Sequence, residues 1–243
     1  IIVCFFFICS GSVHEGFSFP CIGDDGTIIA GNFRGAGVFT ITPVGIEPIG
    51  DAECARIRHA GIHNERLFFK TISDDGQRPA VYDLSTHRIF ELLPAAFSAG
   101  VPQVFGEFLV IPYGDRIVLW RDGEIVHELQ NECAIQWITV DTINGRAAYV
   151  HDNGSIIIVN LENGIIENEL PPLGCKPVWS PDGSKLAVIG SDGIIITDLK
   201  TGEIWKCKEG LNFVWDPVGN GLFIQKTRYR FIEDIIFSDI VYY

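Results

Sequence analysis

Pro177–Glu203 reads PVWSPDGSKLAVIGSDGIIITDLKTGE: short β-branched and apolar runs separated by turn pairs at Asp182-Gly183, Asp192-Gly193 and Thr201-Gly202. Asp-Gly and Asn-Gly pairs are favoured in two-residue hairpins because both central residues of a type I′ turn need positive φ. The stretch therefore predicts an antiparallel meander of four strands, the last one following Glu203. The same punctuation precedes it, since Asn144-Gly145, Asn153-Gly154 and Asn163-Gly164 recur after 38, 39 and 38 residues. Self-similarity at a fixed period decides a fold ahead of local propensity.

The frame extends in both directions. Downstream, Val214–Gly219 (VWDPVG) repeats Val178–Gly183 (VWSPDG) after 36 residues, and Gly221–Lys226 supplies the next strand. Upstream, one copy has turns at Gly114-Asp115 and Asp122-Gly123, another at Asn64, Asp75-Gly76 and Thr86-His87, and the first at Asp25-Gly26, Gly35 and Gly45. The repeats span residues 17–50, 55–93, 101–130, 134–170, 175–208 and 211–243, about 40 residues each.

Four-stranded units repeated radially make a β-propeller, which leaves only short, protected sheet edges. The expectation is an all-β, six-bladed β-propeller of four-stranded antiparallel blades, forming one domain over residues 1–243. The last repeat shows three strands, at Phe213–Trp215, Leu222–Lys226 and within Ile235–Tyr242. Ile1–Cys9 (IIVCFFFIC) is almost wholly apolar. It lacks the basic n-region and cleavage site of a signal peptide and is shorter than the about 20 residues that span a bilayer. By its place in the repeat, the segment 1–13 is expected to complete the last blade and close the ring, a residual signal peptide being the alternative.

The residues Trp179, Ser180, Pro181, Asp182 and Gly183, followed by Asp198, Leu199, Thr201, Gly202 and Glu203, resemble the blade motif of the TolB-like and related WD40-like β-propellers. Weaker echoes stand at Asp83-Leu84-Ser85-Thr86, Asn160-Leu161-Glu162-Asn163-Gly164 and Trp215-Asp216-Pro217. The Gly-His and Trp-Asp pairs of true WD repeats are missing from the corresponding positions, so the resemblance leans to the TolB-like branch. It implies the propeller fold and says little about function, since one scaffold hosts many functions.

The 47 % hydrophobic content and 26 Gly fit a turn-dense, well-buried sheet protein. A formal charge of −13 argues against nucleic acid, whose phosphates reward Lys and Arg, and against a basic membrane-binding patch. The seven Cys, at 4, 9, 21, 54, 133, 175 and 207, show neither C-x-x-C nor Cys/His knuckle spacing. Cys133 and Cys175 read as small buried hydrophobes. Compartment stays open, because unpaired thiols suit a reducing environment whereas the resemblance implies the periplasm.

Candidate chemistry is thin. Ala96-Phe97-Ser98-Ala99-Gly100 lacks the first Gly of a G-x-S-x-G elbow, which speaks against Ser98 as a nucleophile. His59 and His63 have a metal-ligand spacing only on a helix. Asp24-Asp25, Asp74-Asp75 and Glu233-Asp234 do not match a calcium loop and read as hairpin turns in which Asp caps its own backbone. Trp179, Trp215 and, by analogy, Trp137 read as core rings on first strands. No catalytic residue, metal site or cofactor site is expected. A non-catalytic scaffold binding another protein is the expected function, the propeller domain of an enzyme being the alternative. Its contact face would be the second-to-third-strand turns and blade connections, carrying Arg34, Asp74, Arg116, Asp152 and Asp192.

Overall fold

The computed structural model describes residues 17–22, 28–32, 38–42, 45–49, 58–63, 66–83, 85–86, 88–135, 137–207, 212–216, 219, 221–228 and 237–242, and every regular element among them is a β-strand. The chain forms two compact units, Ile1–Phe97 and Ser98–Tyr243.

The first unit holds two meanders. One runs β1 (Phe17–Ile22), β2 (Ile28–Asn32), β3 (Val38–Thr42) and β4 (Gly45–Ile49); the other β5 (Arg58–His63), β6 (Arg66–Ser73), β7 (Gly76–Asp83) and β8 (Arg88–Glu91). His59 and His63 lie in β5, an extended strand, where a helical metal spacing does not apply.

The second unit holds four. They are β9 (Gln103–Phe105), β10 (Phe108–Tyr113), β11 (Arg116–Arg121) and β12 (Glu124–Gln130); β13 (Ile138–Asp141), β14 (Arg146–Val150), β15 (Ile156–Asn160) and β16 (Ile166–Leu170); β17 (Cys175–Trp179), β18 (Lys185–Gly190), β19 (Gly193–Asp198) and β20 (Ile204–Cys207); and a three-stranded sheet of β21 (Asn212–Trp215), β22 (Leu222–Arg228) and β23 (Phe237–Tyr242). All neighbouring strands described pair antiparallel. Residues 1–13, expected to add a strand to the last sheet, lie outside the described residues.

Strand alternation explains how these sheets pack. Successive side chains point to opposite faces, so a middle strand covered on both sides must be apolar throughout. In β14, Ala147 and Tyr149 join a core with Val110, Ile117 and Leu119 of the preceding sheet, whereas Ala148 joins Trp179, Leu186 and Val188 of the following one. The pattern repeats one sheet on, where Ala187 turns to Trp215, Leu222 and Ile224. Each sheet of the second unit thus shares a core with its neighbours, the packing of successive propeller blades.

Turn chemistry repeats with the strands. Ser180 N donates to Lys185 O and Gly183 N to Ser180 O, both 2.9 Å; Asp216 N to Gly221 O and Gly219 N to Asp216 O reproduce this at 2.9 and 2.7 Å. The third-to-fourth-strand turns share a different pattern, in which Asn160 N and Gly164 N donate to Ile165 O and Asn160 O, as Asp198 N and Gly202 N do to Glu203 O and Asp198 O. The residue opening each such turn caps it. Oδ1 of Asp198 accepts from Lys200 N and Thr201 N, both 2.9 Å, and Oδ1 of Asp83 accepts from Ser85 N at 3.0 Å and Thr86 N at 2.9 Å. This is what the Asp of the D-L-x-T motif does physically.

The turn type differs from the sequence expectation. Among the described residues, both central residues have positive φ only at Asp122 (51°) and Gly123 (95°); at Asn144, Asn153, Asn163 and Asp182 only the following Gly is left-handed. Loops of three residues (152–154) or four (161–164, 181–184) let the Asx residue keep negative φ and leave one left-handed position to glycine.

Candidate interaction face

In an antiparallel meander, the second-to-third-strand turn and the connection to the next sheet emerge at the same end. Topology therefore gathers the turns 114–115, 151–155 and 191–192 with the connections 131–137 and 171–174 at one end of the second unit.

Local bonding fixes this end. Asn131 N donates to Asp115 O at 2.8 Å and Ile135 N to Gly114 O at 2.9 Å, so the connection after β12 is bound to its own sheet's middle turn. Asn131 Oδ1 accepts from the Tyr149 hydroxyl at 3.0 Å, and burial, followed by nearby Cys133, drives that phenol up to about 12. The next connection runs so close to β18 that a Cβ on Gly174 would stand 2.2 Å from Ile189 O, an approach only glycine permits. At its other edge, a Cβ on Gly154 would lie 3.3 Å from Pro172 Cβ. Connection 171–174 is therefore wedged between the β14–β15 turn and the end of β18.

Among the described residues of this frame, every exposed charged residue is acidic: Asp115, Glu132, Asp152 and Asp192. Asp152 and Asp192 occupy the middle turns of adjacent sheets, as their repeat positions imply. Arg116 begins β11 beside the third such turn, but it is engaged within its own sheet. Its Nη1 donates to both carboxylate oxygens of Glu128, at 3.0 and 3.1 Å, and its guanidinium lies 5.5 Å from the Tyr113 ring centre. Asp74 is exposed in the β6–β7 turn of the first unit. Beside it, Asp75 is bound by Arg78 (Nη1 to Oδ1, 3.0 Å), and Gln77 and Ala96 exchange backbone hydrogen bonds of 2.8 and 2.9 Å. Arg34 lies outside the described residues.

Other sequence readings find definite places. Trp179 and Trp215 are buried at equivalent first-strand positions. Trp137 precedes β13 instead, half-buried under the Lys176 ammonium, which sits 5.0 Å from its ring centre. Its repeat equivalent is Lys176, not a tryptophan, and Lys176 is held at φ 53° in the bulged start of β17. Cys133 is buried as expected, but Cys175 is exposed, because that bulge breaks the inward alternation. Ser98 is buried, its carbonyl accepting from Gly114 N at 2.7 Å, in a connection without a helix. Among the described residues, no three His, Cys, Asp or Glu side chains are grouped to hold a metal ion, and no helix is long and apolar enough to cross a membrane.

One polar cluster had no sequence signal. Asp141, 3 % exposed, accepts from the backbone N of Ile143 and Asn144 (both 3.1 Å), from Asn144 Nδ2 at 2.8 Å and from Arg146 Nε at 3.0 Å. Arg146 reaches the following sheet, donating through Nη2 to Gly183 O at 2.8 Å and stacking 4.7 Å from the Trp179 ring centre. Burial pushes the Asp141 carboxyl up, but the hydrogen bonds from Asn144 and Arg146 outweigh it and hold the group below the ordinary carboxylate range. This cluster is a joint between sheets, built from one chain segment and a turn 37 residues later.

No protein-family profile matches the sequence, and no curated protein does. Solved structures do. The structure of TolB from Acinetobacter baumannii superposes with a TM-score of 0.64 at 15 % identity, over 78 % of this chain and 53 % of that one. The WD40 β-propeller domain of Doa1 superposes with a TM-score of 0.65 at 11 % identity, over 86 % of this chain and 75 % of that one. The chain spans about half the length of the TolB structure. Its fold is that of the TolB-like and WD40-like β-propellers.

Proposed function

We propose that this chain is a protein-interaction module: a six-bladed β-propeller, without catalysis, metal or cofactor of its own, that docks a protein partner on the end carrying its second-to-third-strand turns. In this reading residues 1–13 supply the fourth strand beside β23 and close the ring. The observation that carries the proposal is the build of that end in the second unit, where one connection hydrogen-bonded to its own middle turn and one closely packed against its neighbours frame exposed Asp115, Glu132, Asp152 and Asp192. Rigid scaffolds that present loops are where binding residues concentrate. A surface of one sign favours a partner with a complementary basic patch, steers its approach and disfavours nucleic acid.

Asp152 and Asp192 form the centre of the proposed contact, with Asp74 and Arg34 assigned by their repeat positions. Arg116 contributes at most its outer edge, since Glu128 already takes its guanidinium. Joint replacement of Asp74, Asp152 and Asp192 by Lys should weaken capture of a partner identified by cross-linking, with an unchanged thermal midpoint. Unchanged capture by the folded variant would remove the assignment. Deleting residues 1–13 tests the closure separately, through loss of cooperative unfolding.

A further inference from the structure

The sheet β13–β16 carries three Asn-Gly pairs, at 144–145, 153–154 and 163–164, with each Asn exposed in a turn. An Asn followed by Gly is prone to a spontaneous reaction, because glycine's missing side chain lets its backbone nitrogen reach the amide carbon. The Gly N loses its proton and bonds to Asn Cγ, the Cγ–Nδ2 bond breaks, and Nδ2 leaves as ammonia. Water then opens the resulting succinimide at either carbonyl, giving aspartate or isoaspartate and one new negative charge.

The three sites are held differently. At Asn153 and Asn163 the Gly nitrogen is engaged, Gly154 N donating to His151 O at 2.8 Å and Gly164 N to Asn160 O at 2.9 Å. Their Asn side chains are also held, Oδ1 accepting from Ser155 N at 2.8 Å and from Ile165 N at 2.9 Å. The Asn144 side chain has one comparable restraint, the 2.8 Å bond from Nδ2 to Asp141 Oδ2. Among the described residues, however, no backbone hydrogen bond engages Gly145 N. Two restraints must break at Asn153 and Asn163, and one at Asn144.

We propose that Asn144-Gly145 is a site of spontaneous deamidation, and that the reaction there loosens the joint between the sheets β13–β16 and β17–β20. The product replaces an amide donor to Asp141 by a carboxylate beside it. That carboxylate repels Asp141 and competes for Arg146, whose Nη2 and guanidinium face bind Gly183 O and Trp179 across the joint. The packing leaves little room to reorganise, since a Cβ on Gly183 would lie 2.4 Å from Asp141 Oδ2 and 2.5 Å from Asn144 Nδ2. No equivalent crossing starts from Asn153 or Asn163, whose hydrogen bonds stay within their own turns.

The test is prolonged incubation of the full chain at mildly alkaline pH, with peptide mapping for aspartate and isoaspartate at each site and the thermal midpoint followed in parallel. Asn144 should convert severalfold faster than Asn153 and Asn163, and the midpoint should fall in step with it. In Asn144→Gln, whose longer side chain closes the ring far more slowly, the midpoint should hold over the same time. Conversion at Asn153 or Asn163 as fast as at Asn144, no conversion at Asn144, or an equal drift in Asn144→Gln would each overturn the assignment.

Discussion

The indole Nε1 of Trp179 donates to the carbonyl oxygen of Thr139, 3.1 Å away on the first strand of the preceding sheet. Trp215 does the same to Val178, also at 3.1 Å, so one ring both fills the shared core and sets the register between sheets. Trp179→Phe and Trp215→Phe should each cost about 1–3 kcal/mol, because each orphans a carbonyl and leaves a small void, and alanine should cost about 3–5 kcal/mol. Urea unfolding measures both. Phenylalanine variants as stable as the parent would show that the hydrogen bond contributes nothing.

The Asp141–Arg146 pair lies within the β13–β14 hairpin, and Arg146 extends it across the same joint to Gly183 O and the Trp179 ring. Removing one member of a mostly buried pair leaves the other uncompensated, so Arg146→Ala should cost about 3 kcal/mol or more. Arg146→Lys should recover only part of this, because an ammonium cannot reproduce the guanidinium fork and the stack on Trp179. Full rescue by lysine would reduce the interaction to bare charge.

Gly183 and Gly202 separate strain from crowding. Both are left-handed, at φ 69° and 74°, but only Gly183 has neighbours where a Cβ would stand. Gly202→Ala should lose about 1–2 kcal/mol, the conformational cost alone. Gly183→Ala should lose clearly more, since Asp141 must move. Equal losses would mean that the joint yields without cost.

Acid should erode the fold through its turn carboxylates. The side-chain hydrogen bonds from Ser180 and Ser184 and the Ser184 backbone N–H lower Asp182 to about 2, and those from Ser85 and Thr86 lower Asp83 to about 2, against an ordinary 3.8. In each case the unfolded chain binds a proton at higher pH than the folded one. The stabilisation is therefore complete above the ordinary value and is lost as pH falls from there toward about 2. Circular dichroism against pH should show Asp182→Asn with a flatter dependence in that window, and an unchanged slope would contradict the assignment.

Much of this was legible in the sequence because turn chemistry is local. Asp83, Asn160 and Asp198 cap the very turns that punctuate the repeat, and Trp179 and Trp215 stand where equivalent strands put them. What escaped depends on bulges and on distant partners. Cys175 escapes because a bulge between it and Val178 breaks the inward alternation at the start of β17, and Trp137 because it lies ahead of β13, at a place not equivalent to that of Trp179. Arg146 looked like any polar residue at a strand start, and its partner Gly183 is a backbone carbonyl, which has no sequence signature. Arg116 looked available until its pairing with Glu128, fixed by the β11–β12 register, was seen.

The central claim, that the middle-turn end docks a protein, is tested most directly by site-specific photo-cross-linking in the native host. Probes at 152 and 192 mark that end, and probes at exposed 162 and 200 mark the turns at the opposite end of the same sheets. The account predicts one discrete cross-linked protein from 152 and 192 that fades with added salt and does not form from 162 or 200. Cross-links of equal yield from both ends, or from 162 and 200 alone, would contradict it.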